Sequence, residues 1–333
     1  MRNKKNTRAL GLLSGGLDSI LAVKVLQEQN IHVTGLSFVT PFFGPDLAKK
    51  AAEDLGIELI VRDITEVHFQ MLKNPPHGYG KTMNPCIDCH ALMLKTAGTI
   101  MEAEGYDLIF TGEVLDERPM SQNRASLETV GRCSGYKDHI LRPLSAKFLE
   151  MTIPEKKGLV DRERLLDIRG RSRKKQIELA AKFGLVEYPN PAGGCLLTDR
   201  NYSKRLKELL EHEEDPDIRD VSLLSVGRHY RLGEKIKLVV GRNEKENLRI
   251  EDLCKAEDTI LRVPEVPGPT CLLTGALSLS PDDDILRAAA VICASYGDTE
   301  DNDKVRVSVR TKSAQYEIEV RAEKKQRTVN RIN

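Results

Sequence analysis

Ser14-Gly15-Gly16-Leu17-Asp18-Ser19 decides the reading of this chain. An apolar run, Ala9 to Leu13, precedes it, and Ile20-Leu21-Ala22-Val23-Lys24-Val25-Leu26 follows. That order predicts strand, tight turn and helix. Two adjacent glycines let the backbone turn sharply and approach a ligand closely. Ser14 and Ser19 offer hydroxyls, and the first turn of the helix offers unpaired N–H groups at its positive end. Together these form a cradle for phosphate. The loop is not a Walker A motif, because no G-x-x-x-x-G-K-[ST] occurs in the chain. It is not a dinucleotide fingerprint either, because its glycines are adjacent. Asp18 would repel a bare phosphate, so its presence points to a Mg²⁺ bridging carboxylate and phosphates.

Working outward, residues 8–110 alternate short apolar runs with amphipathic segments. Val33 to Val39 and Glu58 to Val61 read as strands, and so does Asp107 to Gly112. Asp46 to Gly56, Ile64 to Leu72 and Ala91 to Gly105 read as helices. The alternation predicts an α/β fold with a doubly wound parallel sheet. Ligands of such sheets bind beyond the carboxyl ends of strands, where Gly16 and Gly112 both fall. Segment 113–150 carries no strong pattern beyond a polar loop, Arg118-Pro119-Met120-Ser121-Gln122. Segment 155–182 is basic, a pattern that fits either a solvated helix face or a surface tracking RNA phosphates.

The expected division is residues 1–200 as the nucleotide-binding and chemical domain, 201–219 as a linking helix and turn, and 220–333 as a smaller α+β domain. In the last part Tyr230 to Val240 and Val305 to Val320 alternate like strands, with an apolar helix, Leu286 to Ala294, between them. A basic tail, Arg321 to Arg331, reads as unstructured. The chain has 333 residues and a net charge of +1, so overall charge does not single out a nucleic-acid partner. No apolar run reaches membrane-spanning length and the start lacks a signal-peptide core, which predicts a cytoplasmic protein with no membrane partner.

Seven cysteines in a chain of this kind argue against a disulfide framework and for chemical roles. Asn84-Pro85-Cys86-Ile87-Asp88-Cys89-His90 holds a C-x-x-C that suits half a zinc site, a redox pair or part of an iron–sulfur site. There is no second C-x-x-C to complete a zinc site. Cys195 stands after Pro191-Ala192-Gly193-Gly194, where glycines allow close backbone approach. Three cysteines would leave one iron of a cluster without a protein ligand and open to sulfide. Cys133, Cys254, Cys271 and Cys293 have no partner at ligand spacing and read as ordinary thiols.

The six-residue loop resembles the PP-loop of the ATP pyrophosphatase superfamily, whose fold is of the adenine nucleotide alpha hydrolase type. With Asn-Pro-Cys-x-x-Cys, Thr111-Gly112-Glu113 and Gly-Gly-Cys in this order, residues 8–200 resemble the tRNA thiolation enzymes of that class, the 2-thiouridine and 4-thiouridine synthetases. The resemblance implies that Ser14, Gly15, Gly16, Leu17, Asp18 and Ser19 bind ATP with Mg²⁺. Phe38, Gly112 and Glu113 join the expected nucleotide contacts. One branch of the family carries a persulfide on two cysteines, and another holds a [4Fe-4S] cluster on three. Cys86, Cys89 and Cys195 make three, which favours the cluster branch. Gly227-Arg228-His229-Tyr230 and Val239-Val240-Gly241-Arg242-Asn243 resemble the small RNA-binding domain of ribosome-quality-control factors. The implied reaction is adenylation of a uridine carbonyl oxygen of tRNA and its replacement by sulfur from sulfide or a persulfide carrier. Arg118 and Gln122 would orient the base or the phosphates. The alternatives are a PP-loop enzyme adenylating something other than tRNA, and a non-catalytic RNA-binding factor. The cysteine triplet argues against the first, and the intact Asp18 and serines against the second.

Overall fold

The computed structural model describes residues 7–188, 194–275 and 279–332. Met1 to Asn6 and the Pro191-Ala192-Gly193 stretch before Cys195 lie outside the described residues. The chain divides into two compact units, Met1–Cys195 and Leu196–Asn333.

In the first unit, β1 (Arg8–Leu12) leads into α1 (Leu17–Gln27), β2 (His32–Val39), α2 (Asp46–Leu55), β3 (Glu58–Asp63) and α3 (Thr65–Lys73). Then come α4 (Cys86–Glu104), β4 (Leu108–Thr111), α5 (Arg124–Ser134), β5 (Ile140–Leu141), α6 (Ile153–Lys156) and α7 (Lys174–Lys182). The sheet has the order β3-β2-β1-β4-β5, and every pairing is parallel. Chain order therefore reverses between β1 and β4. That is the switch point at which doubly wound sheets open a crevice.

Both faces of the sheet are buried, as parallel sheets require. Ala9, Leu13, Leu108 and Phe110 pack with α1 and α2 on one face. Leu10, Leu36, Phe38 and Ile109 pack with α4 on the other. Gly11 lies opposite Phe110 in the ladder. A Cβ on Gly11 would lie 2.1 Å from the Phe110 ring, so the glycine is what lets the ring cross the strand. Helix α4 begins at Cys86 rather than at Ala91 and places both cysteines in its first turn. Segment 113–150 contains α5, which the sequence pattern did not reveal. Asn123 caps it by accepting from the Ser126 N–H, and Leu127 and Val130 are its buried residues of size. Two such anchors in eleven residues give too thin a stripe to stand out.

The second unit contains α8 (Arg200–His212), α9 (Ile218–Leu223), β6 (Arg228–Arg231), β7 (Lys237–Val240) and α10 (Glu244–Asp252). It continues with β8 (Thr259–Arg262), β9 (Cys271–Thr274), α11 (Asp284–Ser295), β10 (Lys304–Arg310), β11 (Gln315–Arg321) and β12 (Arg331–Ile332). Its sheet runs β11-β10-β8-β9-β7-β6-β12, antiparallel throughout. Helix α11 packs on one face with Tyr230, Leu261 and Val307. Leu223 and Ile250 pack against Val239 and Leu272 on the other. The tail is not unstructured. Residues 324–328 form a 3₁₀ turn, and Arg331 and Ile332 pair with Tyr230 and His229. The Tyr230 hydroxyl donates to the Arg327 carbonyl at 2.8 Å and pins the turn. Among the described residues no helix is long and apolar enough to cross a membrane.

Phe110 is 1% exposed at the centre of the first sheet. Phe110→Ala is expected to destabilise the first unit by about 3–5 kcal/mol through lost burial and the cavity over Gly11. Urea unfolding followed by circular dichroism measures this, and a loss below about 1 kcal/mol contradicts the packing described.

Candidate active site

The Ser14–Ser19 loop leaves β1 at the switch point. Gly15 has φ +77°, and a Cβ there would lie 2.3 Å from the Leu47 carbonyl oxygen. No other residue type satisfies both constraints. Ser19 Oγ donates to the Gly16 carbonyl at 2.8 Å and lies 3.4 Å from Ser14 Oγ, which closes the loop on itself. Gly16 is the N-cap of α1 and supplies no side-chain acceptor to its first amides. Those amides remain available to an anion. Gly112, at the end of β4, touches the same loop. A Cβ on it would lie 2.5 Å from the Ser19 nitrogen and 2.7 Å from the Asp18 carbonyl oxygen.

Burial pushes the Asp18 carboxyl above the ordinary carboxylate range, against the opposing pull of Arg173, Gln176 and Arg118. Asp18 Oδ1, Arg173 Nε and both amide atoms of Gln176 are buried without a hydrogen-bond partner. The Gln176 amide thus lies near the carboxylate but outside bonding geometry. Orphaned polar atoms of this kind carry a desolvation cost that a ligand can relieve. A half-buried carboxylate with one buried, unsatisfied oxygen suits a divalent cation. Arg173 and Gln176 were not legible as site residues: they lie in the basic segment 155–182, and only the fold brings α7 against α1. The other cations of that segment are largely paired. Arg162 meets Glu155, Arg169 meets Asp116 and Lys175 meets Asp167.

Glu113 is buried two residues beyond the strand. Its Oε2 accepts from Arg142 Nε at 2.9 Å and from Thr111 Oγ1 at 3.0 Å. Its Oε1 lies 2.9 Å from His90 Nδ1. Burial alone would push this carboxyl up, but Arg142 and His90 outweigh it and hold the pKa down at about 2. Both oxygens are engaged, so Glu113 ties the end of β4 to β5 and to the cysteine helix. Phe38 contributes its ring to the apolar core beside Leu36 and Ile64, leaving its main chain at the carboxyl end of β2.

The cysteine turn has its own supports. Asn84 Nδ2 donates to Cys86 Sγ at 3.2 Å, and Thr82 donates to Asn84 Oδ1 at 2.7 Å. Asp88, between the two cysteines, lies 2.6 Å from His77 Nδ1 and accepts from the His77 N–H at 3.0 Å. Cys89 Sγ lies 3.2 Å from His68 Nε2. His68 is fully buried between the rings of Phe42 and Phe43, at 5.4 and 5.7 Å. Burial holds its pKa at about 4, so it is a neutral imidazole. Burial pushes the Cys89 thiol up, and the nearby Cys195 and Cys86 push it further. The three cysteines selected from the sequence thus share one electrostatic neighbourhood. Among the described residues, no three His, Cys, Asp or Glu side chains stand at metal-ligand spacing. His68 could not be picked out in the sequence, since a histidine on an apolar helix face carries no signal until its neighbour is known.

Comparison with known proteins follows the same division. Residues 5–148 match the family described as thiamine biosynthesis protein (ThiI). Residues 227–331 match the family described as NFACT protein RNA binding domain. The chain thus joins two segments that match different families. Matches to individual relatives span more than the first unit. The tRNA-specific 2-thiouridylase MnmA of Petrotoga mobilis is 23% identical over 290 residues, covering 78% of this chain and 76% of that protein. Its counterpart in Chlorobium chlorochromatii is 26% identical over 266 residues, covering 70% and 68%. A solved 4-thiouridine synthetase–RNA complex with bound ATP is similar over 54% of this chain and 52% of its own, at 20% identity and a TM-score of 0.34.

Glu113 sits below its ordinary pKa of 4.5 when folded, at about 2. It therefore contributes stability above the unfolded value, and the contribution disappears as pH falls through that window. Melting temperatures between pH 6 and about 3 should drop more steeply for the wild type than for Glu113→Gln, which starts lower. Parallel curves would contradict the buried-pair reading.

Proposed function

We propose that the chain is an ATP-dependent tRNA sulfurtransferase, which adenylates a uridine carbonyl oxygen and replaces it with sulfur to give a thiouridine. The observation that carries this reading is one frame holding both kinds of chemistry. The strand end that touches the phosphate loop through Gly112 also holds the cysteine helix through Glu113 and His90. The relatives support it, being 2-thiouridylases matched over most of their length.

A uridine carbonyl oxygen is a poor leaving group. In the first step it attacks the α-phosphorus of ATP, a P–O bond forms, and pyrophosphate departs with the electron pair of the broken bond. The open amides of α1 and the loop hydroxyls receive the phosphates. Asp18 is the residue that would hold Mg²⁺, whose charge supports the departing pyrophosphate. Arg173 and Arg118 face the same carboxylate and add positive charge there. In the second step a sulfur nucleophile bonds to the ring carbon, the C–O bond breaks and AMP leaves with its electron pair. Sulfide supplies that sulfur directly. If it arrives instead as a persulfide on one of Cys86, Cys89 and Cys195, a second of these thiols attacks the cysteine sulfur of the S–S bond and the thiouridine sulfur leaves with the electron pair. A cysteine disulfide forms, which an external thiol reduces before the next turnover. The same three thiols are a donor set for a [4Fe-4S] cluster, which when bound supplies an iron open to sulfide. To hold it, the thiols must draw closer than they stand. His68 then fixes Cys89 from behind, and Asp88 with His77 fixes the turn between the cysteines.

With tRNA, ATP and sulfide, Asp18→Asn should lose roughly a hundredfold or more in both pyrophosphate release and thiolation, at an unchanged melting temperature. Cys195→Ser should keep tRNA-dependent pyrophosphate release and lose thiolation. Full thiolation by either variant would overturn the assignment of the site. Anaerobic purification tests the cluster separately. A brown protein containing iron is expected, and a colourless, iron-free one would leave persulfide transfer by the cysteines.

A further inference from the structure

The two glycine–arginine motifs of the second unit are held together by one carboxylate. Glu246 Oε2 accepts from the Gly227 N–H at 3.1 Å and from the Arg242 N–H at 3.0 Å. It also pairs with the Arg242 guanidinium, Nε at 2.9 Å. Arg228 opens β6 opposite Val240, and its Nη1 reaches the Gly241 carbonyl at 3.5 Å. Its guanidinium stacks 4.5 Å from the Tyr296 ring, which orders the side chain without neutralising it. On the other side of β6, Arg331 pairs with Tyr230 and is exposed.

Helix α8 brings a fourth arginine. Arg205 donates from Nη1 to the Leu224 carbonyl at 2.9 Å, and its Nε is buried without a partner. Burial disfavours its charge, and so do the nearby Arg242 and Arg331. Among the described residues no carboxylate forms an ion pair with Arg205, Arg228 or Arg331. Among the described residues Glu246 is the only carboxylate in an ion pair with any of these four guanidiniums, and Asp199 adds a nearby negative charge beside Arg205. Like charges gathered this way are unfavourable until an anion joins them. The opposite end of the sheet differs: Lys304 meets Glu319 and Arg306 meets Glu265 and Glu317, so these two cations are paired.

We propose that Arg205, Arg228, Arg242 and Arg331 form the surface on which the second unit grips the phosphate backbone of RNA, with α8 as part of it. Arg205 lies outside the matched segment 227–331, so the RNA-binding surface extends beyond the NFACT-type domain. Bidentate guanidiniums suit phosphate oxygens, and such contacts position RNA without reading its sequence. The inference rests on RNA being the substrate.

The test is the salt dependence of tRNA binding by the full chain, measured by fluorescence anisotropy. Arg205→Gln and Arg331→Gln should each weaken binding several-fold and lower the slope of log affinity against log salt by about one. Arg306→Gln should match the wild type. Arg331→Gln changes an exposed side chain and stays informative if Arg205→Gln does not fold. A wild type that binds tRNA, with slopes unchanged in Arg331→Gln and in folded Arg205→Gln, would overturn the patch. A wild type that binds no tRNA would overturn the substrate reading as well.

Discussion

The first unit depends on a carboxylate that water does not reach. Glu113 stays ionised inside the protein because Arg142 and His90 hold its two oxygens. Taking such a charge out of water is costly, and breaking a buried pair costs about 3–5 kcal/mol, since one charge is left uncompensated. The three partners come from three elements. Glu113 follows β4, Arg142 follows β5 and His90 opens the second turn of α4. One residue before His90 is Cys89, and one residue before Glu113 is Gly112, against the phosphate loop. The interaction thus sets the position of the cysteine turn relative to the nucleotide loop.

The two sites differ in how they treat polar groups. Around the cysteines each support engages its target, Asn84 on Cys86, His68 on Cys89 and His77 on Asp88, and only His68 Nδ1 among these described supports is buried without a partner. That holds the two thiols of the turn in a fixed setting. Around Asp18 the protein leaves atoms of Asp18, Arg173 and Gln176 without partners. Such a site is held ready for charged ligand groups, and the cost of leaving it unsatisfied is recovered on binding.

Much of this was legible in the sequence where chemistry is local. The Ser14–Ser19 loop carries its constraints in consecutive residues, and the strand–helix alternation fixed a parallel sheet with Gly16 and Gly112 at strand ends. The Cys86–Cys89 spacing announced itself as well. What stayed hidden depends on contact across the fold. Arg173 and Gln176 looked like members of a basic stretch, and His68 like one more residue on an apolar face. Glu113 was visible as a strand-end carboxylate, but its engagement by Arg142 and His90 was not. The tail Arg321 to Arg331 looked too polar to order itself, yet one hydroxyl from Tyr230 and two residues of strand pairing hold it.

The central claim is that ATP bound at Asp18 activates a tRNA uridine so that sulfur delivered at the cysteine turn can replace its oxygen. Mass spectrometry of tRNA nucleosides from cells lacking this chain, and from the same cells resupplied with it, tests that directly. The account requires a thiouridine that is missing in the deletion, restored by the wild-type chain and not restored by Asp18→Asn. A nucleoside profile that is the same with and without the chain would contradict it.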